Sequence, residues 1–324
     1  MAELKNTPLR EFHLEMGAKM VPRSGWNLPL HFSEGAADEH HCCRSKAALF
    51  DLCADGRYRI AFPGALQCVQ KLLFYGENEL QPGQCRRDIL MNKEGIAVAP
   101  CQVSLMAADD LFVTVPFQCT AKAEALFQSE KAEFVSLSEY LACIGISGPE
   151  SRKTLVMCGV KEEELPGEGE TKLIELDGLR AIVSFSQFFD EEGFEVNFNA
   201  ECTDQIWDLL LETDLPWPAG LAAQETLALE NGSFGANEFL IPRPAADVLA
   251  KTALVTFEGR RAPLAGVKLF NEEGKEIAAV TTGAYCPGLE RAAAWAYFPE
   301  GIPEAGTPLH ADAGGVPVSG TVGE

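Results

Sequence analysis

The chain has 324 residues, with 26 basic against 48 acidic side chains, a formal charge of −22, and 47% hydrophobic residues. That acid excess argues against a nucleic-acid partner, which needs a basic face, and against anionic membrane surfaces. No apolar run approaches the roughly 20 residues that span a bilayer, and the mixed-charge start lacks the apolar block of a secretory signal, so a cytoplasmic protein of two or three domains is expected.

Leu9, Phe12 and Met16 recur at helical spacing after Thr7-Pro8 and predict a short first helix. Residues 35–49 read as a second helix, and 57–62 (RYRIAF) as a strand. Leu66, Val69 and Leu73 make an amphipathic helix. Residues 96–105 and 111–117 read as two strands joined in a hairpin across Ala107-Ala108-Asp109-Asp110. A helix over 120–131 follows, then a short buried strand over 141–147 that ends at Ser147-Gly148-Pro149. An acidic loop covers 162–170. Strands at 181–186 and 194–199 flank the acidic turn Asp190-Glu191-Glu192-Gly193, and helices follow at about 203–212 and 221–230.

Beyond this point the texture changes. Ile241-Pro242-Arg243-Pro244 reads as a stiff linker, since each proline fixes its own φ and pushes its predecessor toward extended backbone. Short β-like runs then appear at 264–270, 277–282, 293–298 and 316–322, separated by Gly and Pro. They suggest a small barrel or sandwich. The expected class is α+β, with residues 1–245 forming one region and 246–324 a β module.

Chemistry-bearing motifs are scarce. There is no phosphate-binding glycine loop, no HExxH and no GxSxG elbow. His40-His41 is the only histidine pair, and adjacent residues on a helix diverge by about 100°, which argues against a metal site there. Eleven cysteines are scattered without a CxxC pair. They read mostly as small buried hydrophobes, leaving room for one or two reactive thiols. One segment stands out. In 193–199, Phe194, Val196 and Phe198 alternate on one strand face, while Glu195 and Asn197 point the other way. A carboxylate so placed can accept two parallel N–H bonds from an amidine-like edge. The alternative reading is a solvated strand glutamate.

Several blocks resemble a known family. They are Thr7-Pro8-Leu9 to Phe12-His13, Gly17-Ala18-Lys19-Met20-Val21-Pro22, Gly25-Trp26 with Pro29, and Glu39-His40 through Arg44 with Ala48-Leu49-Phe50-Asp51. Further along come Ile146-Ser147-Gly148-Pro149, Glu191-Glu192-Gly193-Phe194-Glu195, Gly220-Leu221 through Thr226-Leu227 with Glu230 and Gly232, and Thr281-Thr282-Gly283 with Cys286-Pro287 and Leu289. Together they resemble the tetrahydrofolate-dependent aminomethyltransferase (glycine-cleavage T-protein) family over nearly the whole chain. The resemblance implies a three-lobed cloverleaf of two interwoven α+β lobes and a C-terminal β-barrel. It also implies tetrahydrofolate with its pterin on Glu195, and transfer of a one-carbon unit from an amine or methylated substrate to a folate nitrogen. In the T-protein that substrate rides on a lipoyl carrier protein. By position, the folate-binding residues implied are Glu195, Phe188, Glu191, Gln224 and Arg87.

The chain departs from the family pattern where the family's chemistry sits. Ala99-Pro100 stands at the family's aspartate pair, Arg87 and Phe188 at two of its tyrosines, and Gln224 at an arginine. Pro116-Phe117-Gln118-Cys119 replaces an asparagine-containing stretch, and Asp51-Leu52-Cys53-Ala54-Asp55-Gly56 lacks a histidine of the corresponding turn. Three functions follow as expectations. The first is a folate-dependent one-carbon transferase of the usual or an altered substrate. The second is a non-catalytic folate-binding or regulatory relative. The third is a relative of the branch that maintains iron–sulfur clusters, whose K-G-C-Y-x-G-Q-E motif does not occur here. A lipoyl carrier that is itself acidic is repelled rather than steered by this charge. No catalytic residue is assigned.

Overall fold

The structure, a computed structural model, describes residues 3–187, 189 and 191–323. In chain order it runs β1 (Lys5–Asn6), α1 (Arg10–Glu15), β2 (Lys19–Arg23), β3 (Trp26–His31), α2 (Ala36–Ser45), β4 (Ala47–Asp51), β5 (Gly56–Ala61), α3 (Ala65–Gln70), β6 (Gln84–Met91), β7 (Ala97–Ala107) and β8 (Asp110–Val115). Then come α4 (Thr120–Ser129), β9 (Val135–Ser136), β10 (Leu141–Ser147), α5 (Ser151–Met157), β11 (Thr171–Leu176), β12 (Leu179–Phe185), β13 (Gly193–Asn199), α6 (Thr203–Leu211), β14 (Pro216–Ala219) and α7 (Leu221–Glu230). The chain closes with α8 (Ala245–Lys251), β15 (Thr252–Phe257), β16 (Lys268–Phe270), β17 (Glu276–Cys286), β18 (Arg291–Tyr297), β19 (Pro308–Asp312) and β20 (Pro317–Val322).

The chain divides into two compact units, Met1–Lys93 with Val98–Gln224, and Glu94–Ala97 with Glu225–Glu324. The first holds a six-stranded sheet in the order β11-β12-β13-β10-β4-β14, a five-stranded sheet β6-β7-β8-β5-β9 and a small sheet β1-β3-β2. The second holds the closed barrel β15-β18-β17-β16-β19-β20. The α+β class with a terminal barrel is thus the one expected from the sequence.

Residue 35–49 corrects one reading: the helix stops at Ser45, and Ala47–Asp51 is a strand. β4 lies between antiparallel β10 and parallel β14, and its successive residues Ala47 to Phe50 are all buried, so it is covered on both faces and shows no alternation. A strand of that kind cannot be told from a helix by periodicity. Pro216 and Pro218 are tolerated in β14 because it is an edge strand. The barrel also has two strands, β15 and β19, that the turn signals did not mark, and the proline linker opens a short helix, α8.

The principal core of the first unit lies on one face of the six-stranded sheet. Phe194, Val196 and Phe198 of β13 pack there with Ile144 and Ile146 of β10 and with Ile206, Trp207 and Leu210 of α6. That helix repeats its buried residues at i, i+3, i+4 and i+7 from Thr203, the stripe an amphipathic helix needs. In the barrel, Ala292, Ala294 and Ala296 of β18 face the interior, while Ala293 and Trp295 pack on the opposite side.

Candidate functional site

The other face of the six-stranded sheet carries polar side chains. Strand alternation puts Glu195 and Asn197 there, as the sequence pattern predicts. Glu195 is paired in register with Ser184 of β12 and with Gly145 of β10, which has no side chain to cover it. Side chains of the five-stranded sheet meet this face. Thr114 of β8 donates its hydroxyl to Glu195 Oε2 at 3.4 Å. Residues directly opposite in an antiparallel pair share a face, so Arg57 of β5 and Gln102 of β7, both opposite Thr114, belong to the same polar layer. Pro100, two residues before Gln102, points the same way, whereas Ala99 is fully buried on the far side.

Glu195 is only 7% exposed. Burial raises its pKa; the charge of Arg87, the Thr114 hydroxyl and the charge of Arg57 offset part of that rise. Arg87 of β6 reaches the layer and donates Nη2 to Ser186 Oγ at 3.4 Å. Desolvation by surrounding protein pulls its pKa down, and the charge of Glu195 pushes back. Yet Arg87 keeps an exposed surface.

The turn between β4 and β5 is tied to the layer through Arg57. Arg57, 1% exposed, donates Nη1 to Leu52 O at 2.9 Å and Nη2 to Cys53 O at 2.7 Å. Asp51 fixes the start of the turn. Its Oδ1 accepts the Cys53 N–H at 2.9 Å, and its Oδ2 accepts the Thr7 hydroxyl at 2.6 Å and bonds His13 Nε2 at 2.8 Å. Burial alone would raise the Asp51 pKa, but the His13 bond and charge, Thr7 and the Cys53 N–H outweigh it and hold the carboxyl below its ordinary value. His13 itself is wedged edge-on between Phe32 and Trp207, with ring centres 5.6 and 5.7 Å away. At the end of the turn, Asp55 Oδ1 accepts the Phe117 N–H at 2.9 Å. Burial pushes the Asp55 pKa up to about 7, against that hydrogen bond and the charge of Arg57.

Of the residues singled out from the sequence, the structure brings Arg87 to Glu195. Glu191 instead accepts from Arg44 Nη1 at 3.4 Å. Gln224 is half-buried in the first turn of α7, with its backbone N–H on Gly220 O. Neither hydrogen-bonds Glu195 among the described residues. Phe188 lies outside the described residues. Thr114 and Arg57 carried no sequence signal of a site, and Asp55 lay in a turn that stood out only for the histidine it lacks. Thr114 is one hydroxyl in an apolar strand, and Asp55 precedes a glycine, as ordinary turn acids do.

No thiol of the layer is activated, since burial raises the pKa of Cys53, Cys85 and Cys143. No group of three or more metal-ligating side chains exists among the described residues, and no helix among them is long and apolar enough to cross a membrane.

A buried carboxylate in a polar layer between two sheets, followed by a β-barrel, defines the class. The family model described as GCVT N-terminal domain matches residues 9–237, and the chain belongs to that family. Its relatives include the Aminomethyltransferase of Cutibacterium acnes (strain DSM 16379 / KPA171202), 27% identical over 100% of this chain and 98% of that protein. The Aminomethyltransferase of Koribacter versatilis (strain Ellin345) is 29% identical over 92% of this chain and 89% of its own length. Among solved structures, the glycine cleavage system aminomethyltransferase T from Bartonella henselae superposes with a TM-score of 0.86, at 22% identity, covering 99% of this chain and 97% of that one. At that identity the likeness speaks for the fold.

Proposed function

We propose that the chain binds tetrahydrofolate in the Glu195 layer and acts as a folate-dependent one-carbon transferase of aminomethyl type, on the usual or an altered amine or methylated substrate. The observation that carries this reading is Glu195, a carboxylate 7% exposed whose only hydrogen-bond partner among the described residues is a Thr114 hydroxyl at 3.4 Å. An ionised carboxylate in such a place is costly unless something else binds it. The 2-amino-pyrimidinone edge of a pterin offers two parallel N–H donors, the bidentate partner a carboxylate accepts best. The residues present therefore fit the cofactor, which when bound supplies the nitrogens that receive the one-carbon unit. Glu195 holds and orients the pterin edge, Thr114 and Arg87 hold Glu195 in place, and the two sheets exclude water.

Pro100 favours a second reading. It faces the layer at the position of the family's aspartate pair and can neither carry charge nor donate an N–H. Losing a carboxylate that stabilises positive charge in a transition state lowers rate by orders of magnitude, so a protein that binds folate without turning it over is the alternative. A lipoyl carrier remains a partner only if its docking face is basic enough to meet a chain of charge −22. The test is a thermal-shift titration with tetrahydrofolate, repeated with Glu195→Gln, followed by a transfer assay. The expected result is a rise in Tm that Glu195→Gln abolishes. No rise at millimolar folate defeats both readings, and binding without turnover selects the second.

A further inference from the structure

Asp55 occupies the turn that carries the chain out of β4, in one wall of the polar layer, and into β5, in the other. Its Oδ1 is taken by the Phe117 N–H, but Oδ2 makes no hydrogen bond among the described residues. The residue keeps part of its surface open. The nearby cation, Arg57, gives Nη1 and Nη2 to the Leu52, Cys53 and Ser138 carbonyls, and its Nε makes no hydrogen bond to Asp55 among the described residues. The remaining titratable groups that act on Asp55 or feel it are Glu195 of β13, Asp51 at the end of β4, and the thiols of Cys119 and Cys143. None of these donates a hydrogen bond to Oδ2.

A second polar group of the layer lacks partners. Asn197, 1% exposed and two residues from Glu195 on the same strand face, has neither amide atom partnered among the described residues. It is paired in register with Cys143, whose carbonyl accepts from the Leu52 N–H and the Cys53 thiol of the Asp55 turn. A buried amide with both ends free is expensive. Such groups mark places where a polar ligand completes the bonding.

We propose that Asp55 is a second ligand-binding carboxylate of this site, taking a nitrogen-borne hydrogen on the part of the bound pteridine ligand that lies beyond the edge held by Glu195. The inference rests on the folate reading above. Binding favours the ionised carboxyl, so affinity rises with pH across the range where Asp55 titrates.

Isothermal titration with tetrahydrofolate at pH 6, 7 and 8, on the full chain and its Asp55→Asn, Asp55→Leu and Glu195→Gln variants, tests it. The expected outcome is affinity that rises severalfold from pH 6 to 8 in the wild type, a dependence that both Asp55 variants lose. Asp55→Leu also weakens binding at pH 8 tenfold or more. Asp55→Asn keeps the size of the side chain and guards against misfolding of the leucine variant. An Asp55→Asn protein with the affinity and pH profile of the wild type, while Glu195→Gln fails to bind, overturns the role of Asp55 and leaves the folate reading standing. No binding by the wild type overturns both.

Discussion

At the scale of single residues, the polar layer works against the fold it belongs to. Asp55 has its pKa raised to about 7 by burial, so the folded state favours the neutral acid. The sign follows from linkage: the unfolded chain, with an ordinary aspartate pKa near 3.9, ionises this group more easily than the native protein does. The contribution is therefore unfavourable above the unfolded pKa, is largest above pH 7, and is relieved as pH falls from about 7 toward about 4. Asp55→Asn is expected to stabilise the apo protein by about 1–3 kcal/mol at pH 8, with the difference from wild type shrinking toward pH 5. Urea denaturation at the two pH values measures it. A variant less stable than the wild type at pH 8 contradicts this account. Asp51 is the opposite case. His13, Thr7 and the Cys53 N–H hold its carboxyl ionised, so it contributes stability at neutral pH that is lost as pH falls through its depressed pKa. Two aspartates four residues apart thus have opposite standing, because one has three partners and the other has one.

At the scale of elements, chain crossings fix the walls of the layer. Gly148, after β10, has φ +129°, and a Cβ there would lie 2.5 Å from the carbonyl oxygens of Cys43 and Lys46. Gly178, between β11 and β12, has φ +78° with nothing within 4 Å. Gly148→Ala should cost about 3 kcal/mol or more, and Gly178→Ala only about 1–2 kcal/mol. Chemical denaturation of the two variants side by side checks the contrast, and equal losses would mean that the close approach at Gly148 relaxes freely. The same elements show what a sequence makes legible. β13 could be read because Glu195 and Asn197 break an apolar alternation. β4 could not, because a strand covered on both faces has none. Four of the six barrel strands show as short β-like runs between Gly and Pro. β15 follows directly on helix α8 without a turn, so nothing marks its start. The approach of Arg87 to Glu195 depends on how β6 of one sheet meets β13 of another, which no local pattern encodes, and the free oxygen of Asp55 depends on where Phe117 lies.

For the molecule as a whole, eleven cysteines and a charge of −22 raise the question of surface reactivity. Nine of the cysteines are buried, and only Cys68 and Cys202 are half-exposed. Burial holds Cys43, Cys85 and Cys286 up to about 12, far from the thiolate a disulfide or alkylating reagent needs. A thiol titration of the native protein at pH 7.5 should therefore count no more than two fast groups, and eleven after denaturation; a third fast thiol in the native protein would show a buried cysteine opening readily. The first unit is also held together across great distances along the chain. Glu39, 1% exposed, accepts the Gly220 N–H at 2.9 Å across 181 residues, and with its other oxygen the Phe32 N–H. Glu195 meets Thr114 across 81. During synthesis, then, the ribosome must deliver residue 220 before the first unit can close. At about 5–20 residues per second that is roughly 10–40 s of exposed, half-assembled sheet. The closing barrel strands are made later still, and the nascent chain spends that interval with its most apolar strands in search of partners. The strong negative charge of the chain keeps such intermediates apart while they wait.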